Sequence, residues 1–231
     1  MTTYISANSS NHQNGGASST TVAVTLPGTV GSGHTLCVGV QSANNSGIVQ
    51  PYHCNDDKSN IYTHVLDIYT IGSGFQVSIF FCTNITNAPQ TITGDFNGNS
   101  FTFASIIVDE FSGIVTSLPL DGSNGQIANS GTSTDGLTTG TWTTSANGDL
   151  IWGYCGDLTG GATFSAGTGF TIAQNVAVDF RSEYLIQSSA SASTAVTFTS
   201  NINVSAFAVG LALMSLPTGL PPSSGWAEVQ W

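Results

Sequence analysis

The chain has 231 residues, only 6% of them charged, and its two basic side chains stand against thirteen acidic ones for a formal net charge of -11. That balance excludes a nucleic-acid binder, which needs clustered Lys and Arg to neutralise phosphates, and a polybasic membrane-surface module. With 40% hydrophobic and 10% aromatic residues the chain carries enough apolar matter for a core, which excludes intrinsic disorder as well.

The opening residues Met1-Thr-Thr-Tyr-Ile-Ser-Ala-Asn show no basic n-region, apolar h-region or cleavage site, so no secretory signal is expected there. Residues 1–19 read as an N-terminal segment, 20–214 as a β domain, and 215–231 as a Pro/Gly/Ser linker with a Trp-containing tail. Period-two runs bounded by Gly, Asn, Ser and Pro predict strands over 20–26, 35–41, 61–69, 76–83, 90–96 and 101–111. A second set follows over 137–144, 149–155, 168–173, 177–187, 195–199 and 204–214. About twelve short strands predict an all-β fold, a two-sheet antiparallel sandwich that is jelly-roll-like. The two sets echo each other: Gly33-His34-Thr35-Leu36-Cys37-Val38-Gly39 matches Gly148-Asp149-Leu150-Ile151-Trp152-Gly153. Two similar halves, 20–117 and 136–214, are therefore expected, joined by a Gly/Ser/Asn-rich linker over 118–135 that runs across the surface. The most apolar late stretch, 204–216, is too short to cross a bilayer as a helix, so no membrane insertion is expected.

Four cysteines, Cys37, Cys54, Cys82 and Cys155, allow three two-bridge connectivities and include no C-x-x-C pair. Cys37, Cys82 and Cys155 fall in strand-like runs, where an unpaired thiol serves as a small buried hydrophobe; a disulfide is the alternative. Cys54, in the polar stretch His53-Cys54-Asn55-Asp56-Asp57, is expected to be the exposed thiol. The run Asn55-Asp56-Asp57-Lys58-Ser59-Asn60 reads as a turn. Asp56 and Asp57 are also the weak candidates for Ca²⁺, although the EF-hand spacing is absent, and no other metal or cofactor is implied.

Asp109 and Glu110 are adjacent on an extended run, so they point to opposite faces and cannot act on one substrate as an acid–base pair. Further on, Asp179, Arg181 and Glu183 share one face, with Phe180, Ser182 and Tyr184 on the other. An arginine between two carboxylates reads either as a surface charge ladder or as a site for sugar hydroxyls. Trp142 and the pair Trp152 and Tyr154 read either as core or as a stacking platform for sugar rings. In the tail, Trp226, Val229 and Trp231 either pack back on their own domain or dock into a neighbouring subunit, which would make the protein a homo-oligomer or part of a larger particle.

Five places along residues 20–214 carry a resemblance: Gly33-His34-Thr35-Leu36, the hairpin Asp56-Asp57-Lys58-Ser59-Asn60-Ile61-Tyr62, Glu110-Phe111-Ser112-Gly113, Pro119-Leu120-Asp121 and Gly148-Asp149-Leu150. In these the chain resembles an uncharacterised β-sandwich module of bacterial and phage surface proteins. The resemblance implies an extracellular or particle-surface setting and assigns no reaction; His34 stands where the pattern has Asp or Asn.

No nucleophile elbow, P-loop, dinucleotide fingerprint or paired metal-ligand histidines occur. The expected protein is thus a non-enzymatic structural or surface-recognition protein of an extracellular or virion surface. It would bind glycans through Trp142, Trp152, Tyr154 and Arg181 and assemble through its tail. The alternative is a polysaccharide-active hydrolase or lyase using Glu110 with Glu183 or Asp179.

Overall fold

The computed structural model describes residues 1–43, 53–69, 74–128, 137–145, 148–158, 160–176, 179–190 and 193–217. The first nine strands are β1 (Thr3–Tyr4), β2 (Ser10–Ser19), β3 (Thr21–Thr25), β4 (Thr35–Ala43), β5 (His53–Asp56), β6 (Thr63–Tyr69), β7 (Phe75–Cys82), β8 (Thr91–Asp95) and β9 (Phe101–Ser112). They are followed by β10 (Leu120–Ala128), β11 (Leu137–Thr138), β12 (Leu150–Asp157), β13 (Phe164–Ala166), β14 (Thr171–Val176), β15 (Phe180–Ile186), β16 (Thr197–Ser200) and β17 (Ala206–Leu213). All pairings between them are antiparallel, so the protein is all-β. Among the described residues no helix is long and apolar enough to cross a membrane.

Four sheets form where two were expected. One runs β1-β9-β4-β7-β6, with β2 also on β9, and a three-stranded sheet β3-β8-β5 covers its outer face. Another runs β10-β17-β12-β15-β14, covered by β11-β16-β13. Adding eight to each strand number in β2-β9-β4-β7-β6 and β3-β8-β5 reproduces the second pair of sheets in the same order.

Three cores separate the layers. Val22 and Val24 meet Leu36, Val38, Ile106 and Val108 in the first outer core. Ile79, Phe81, Ile107 and Phe111 meet Trp152, Tyr154, Phe207 and Leu211 in the central core, and Ile151, Cys155, Ala208 and Ala212 meet Val196 and Phe198 in the third. The layering explains the burial patterns. In β3, Thr-Val-Ala-Val-Thr alternates exposed and buried because only one face is covered. β12 and β17 are buried at every position because a sheet lies on each side, and their sequences are correspondingly near-continuous in apolar and small residues.

Several expectations change. The segment 1–19 is not outside the fold, since β1 and β2 form the edge beside β9. Half of the expected surface linker is a strand, because β10 pairs with β17 from Leu120 to Ala128; residues 129–135 lie outside the described residues. Neither Ser-Asn-His-Gln-Asn-Gly-Gly-Ala-Ser-Ser nor Leu-Asp-Gly-Ser-Asn-Gly-Gln-Ile-Ala alternates in polarity; what makes them strands is the ladder offered by β9 and β17. Cys54 lies on β5 and packs against the first outer core rather than in a polar loop. All four cysteines are free thiols.

Candidate functional site

Trp152 and Tyr154 are fully buried and do not form a surface platform. They project from β12 into the central core because the six-stranded sheet covers that face. The Tyr154 hydroxyl lies 2.8 Å from Ser105 Oγ, and its ring stands where Gly39 leaves room, since a Cβ at that glycine would meet the ring at 2.5 Å. Trp142 is half-buried against the third core. Arg181 is also buried, its Nη1 donating to the Phe180 carbonyl at 2.7 Å; burial lowers its pKa. The expected aromatic and arginine site is therefore not assembled at the surface.

The carboxylates are likewise built inward. Asp109 faces the central core and accepts Trp152 Nε1–H at 2.7 Å and Gln174 Nε2–H at 2.8 Å. Tyr4 adds a hydroxyl 3.4 Å away, so this one carboxylate ties β1 and β9 to β12 and β14. Desolvation pushes its pKa up, opposed by the hydrogen bonds it accepts. Burial, then the Asp109 charge, also push the Tyr4 phenol up. Glu110 points the other way, as expected for its neighbour on a strand, and accepts Gly31 N–H at 2.8 Å with His34 Nδ1 2.5 Å away. Glu183 lies on the outer face of β15, accepts Gly167 N–H at 2.9 Å, and keeps Oε1 buried without a hydrogen-bond partner. Its pKa is raised to about 8 by burial, against the pull of the Gly167 and Thr197 amides. Glu110 and Glu183 thus occupy different outer layers with the central core between them, and they share no cleft.

Asp56 and Asp57 serve the turn. Asp56 Oδ1 accepts the amides of Lys58 (2.9 Å) and Asn60 (3.1 Å), and Asp57 Oδ1 accepts those of Gln90 (2.9 Å) and Thr91 (3.2 Å). Among the described residues no three His, Cys, Asp or Glu side chains gather as a metal site. Trp226, Val229 and Trp231 lie outside the described residues.

An open cleft of about 220 Å³ lies where one end of the two central sheets meets. Its apolar lining comes from Ala43, Phe75 and Phe103 on one sheet and Leu158 and Phe180 on the other side. Phe103 and Phe180 stack across the layers with centroids 5.8 Å apart and planes at 16°. Gln41, Asp157 and Asp179 supply the polar edge. The two aspartates are brought together by pairing, since Asp157 N–H donates to the Asp179 carbonyl at 2.9 Å. Both also hold the turn that follows: Asp157 Oδ2 accepts Ala162 N–H at 2.9 Å and Asp179 Oδ1 accepts Gly161 N–H at 2.8 Å. An aromatic floor with the half-buried Asp179 at its edge, and no cation among the described lining residues, suits a small neutral polyhydroxylated ring or a cation better than an anion. Of these residues only Asp179 stood out in the sequence as a site candidate. The signal that could have found the others is their place at strand ends, where Ala43, Asp157 and Phe75 finish or begin runs that the fold brings to one edge.

Comparison with protein-family models, with curated proteins and with solved structures finds no match to this chain.

Proposed function

We propose that the protein is a non-enzymatic recognition and building unit of an extracellular or virion surface, which binds a glycan in the cleft of Phe75, Phe103, Phe180, Asp157 and Asp179 and assembles through its C-terminal tail. The observation that carries this reading is the cleft itself. It pairs apolar ring surface with the Asp179 carboxylate at the edge of a double layer, a combination that suits sugar rings, and its volume of about 220 Å³ suits a single ring. The other carboxylates considered for catalysis, Glu110 and Glu183, are buried in separate layers and share no cleft, which favours binding over hydrolysis.

In this reading each set of strands is a jelly-roll-like half, boundaries extended to include β2 and β10, and the halves pack back to back. The repeated strand order supports it, as does the pair Gly33 and Gly148, which open β4 and β12 with φ of +77° and +84°. Jelly rolls build viral capsid and lectin domains, an analogy at the level of fold. A surface solubilised by hydroxyl and amide groups, with only two basic residues for trypsin-like proteases to cut, fits long exposure outside a cell. The same setting is implied by the resemblance to surface-protein modules, whose motif residues lie mainly at turns and strand ends.

A glycan array probed with the full chain tests the reading. Binding to a defined glycan that is lost in both Phe75→Ala and Asp179→Asn, with thermal unfolding unchanged, is the expected result. Absence of any glycan retained on the array, or binding indifferent to both substitutions, overturns it.

A further inference from the structure

We infer that the groove beside Leu118 receives the Trp-containing tail of a second copy of this chain. The inference rests on the proposed assembly through the tail and names the surface that would receive it. The groove has a volume of about 390 Å³, within the range of pockets that bury a small ligand or an anchoring side chain. Phe81 forms its buried floor, Thr63 and Thr116 line it, and Leu118, Pro119 and Leu120 form one wall.

That wall is built in an unusual way. Leu118 is 84% exposed and Leu120 40% exposed, two apolar side chains facing water on one wall. Leu118 also sits at φ +48°, the left-handed region that a leucine seldom adopts. The backbone therefore holds a large apolar side chain outward where no described residue covers it.

The chain leaves the fold at the same wall. Met214 N–H donates to the Pro119 carbonyl at 2.8 Å, Leu216 N–H donates to Gly113 O at 2.7 Å, and Leu216 is itself 46% exposed. After Pro217 come residues 218–231, ending Trp226-Ala-Glu-Val-Gln-Trp231. The spacer 218–225 contains Pro221-Pro222, and eight residues at about 3.1 Å each, the rise of a proline-type helix, give it a reach of up to roughly 25 Å. Such a reach is long enough to bring Trp226 to the same groove on a neighbouring copy, and the oligomeric state distinguishes that docking from a return to its own groove. Among the described residues the groove lining holds no charged side chain, so it does not repel Glu228 of the incoming tail. Aromatic anchors in a threonine-rimmed apolar groove leave the indole N–H groups hydroxyl acceptors.

Light scattering of the full chain on size exclusion, with two variants, separates this inference from the reading beneath it. The full chain is expected to be oligomeric at micromolar concentration. Both Leu118→Asp and the double variant Trp226→Ser/Trp231→Ser are expected to be monomers with unchanged thermal unfolding; Asp is tolerated in the left-handed region. A synthetic peptide of residues 218–231 added in excess should dissolve the wild-type oligomer. If the tail variant becomes monomeric while Leu118→Asp stays oligomeric, the groove is wrong and tail-driven assembly stands. A wild-type monomer, or an oligomer untouched by the tail variant, overturns both.

Discussion

Replacing Glu183 by Gln is expected to stabilise the fold most above pH 8 and by less than about 1 kcal/mol at pH 5. The side chain is fully buried, with one oxygen on the Gly167 amide at 2.9 Å and the other without a partner. Burial raises its pKa from 4.5 to about 8. Below the unfolded value both states hold the proton and the group contributes no penalty. Between 4.5 and about 8 the folded protein keeps a proton that the unfolded chain releases, so stability falls as pH rises, by ~1.4 kcal/mol per pH unit. Above about 8 both states are ionised and the full penalty, about 3 to 5 kcal/mol, persists. For a chain of this length that is on the order of 10 °C in Tm. Glutamine keeps the acceptor for Gly167 and cannot ionise. Asp109 and Cys37, whose pKa values burial also raises, titrate in both proteins and so largely cancel in the difference, whereas Cys155, pushed up by burial and then by the Glu183 charge, loses that second push in the variant, which favours the variant at high pH in the same direction. Calorimetric melts of both proteins at pH 5, 7 and 9 should differ least at the first and diverge progressively, with the variant higher. A constant offset at all three pH values, or a variant less stable at pH 9, would refute the reasoning.

Asp109→Ala removes the acceptor for two buried donors and should lower stability by about 3–5 kcal/mol in urea unfolding; a loss under about 1 kcal/mol would mean that the carboxylate does not clamp the two central sheets. Gly39→Ala places a methyl group 2.5 Å from the Tyr154 ring and should destabilise by about 1–3 kcal/mol, measured the same way, whereas no loss would show that the layers part easily. A thiol reagent added without reductant should find four thiols per chain after denaturation and react slowly with the native protein, since Cys37, Cys82 and Cys155 are buried; two missing thiols would indicate a disulfide. His34→Ala leaves Glu110 buried with only the Gly31 amide within hydrogen-bond reach of Oε1 and should lower stability by about 1–3 kcal/mol at neutral pH, while an unchanged melting temperature would discount the contact.

The alternation of residues 180–184 already assigned side chains to faces, with Arg181 and Glu183 on one and Phe180, Ser182 and Tyr184 on the other, and Phe180 and Tyr184 do meet the central core. The opposed directions of Asp109 and Glu110 followed from the same period of two. Reading Trp152 and Tyr154 as a platform, or Glu110 and Glu183 as a pair, required knowing what covers each face. Periodicity does not carry that information, because it is the same whether water or a second sheet lies opposite. β2 and β10 were illegible for a related reason: their small and polar residues show no strand signal, and their ladders are supplied by β9 and β17, which are distant in sequence. The cleft escaped notice because Ala43, Phe75, Asp157 and Asp179 come from separate strand ends. The sequence by itself therefore determined an all-β chain, the course of most strands and which neighbours share a face. Only the tertiary structure decided the four-sheet stacking, the buried fate of the candidate site and the place of the open cleft, since burial and proximity arise from non-local pairing that local patterning does not encode.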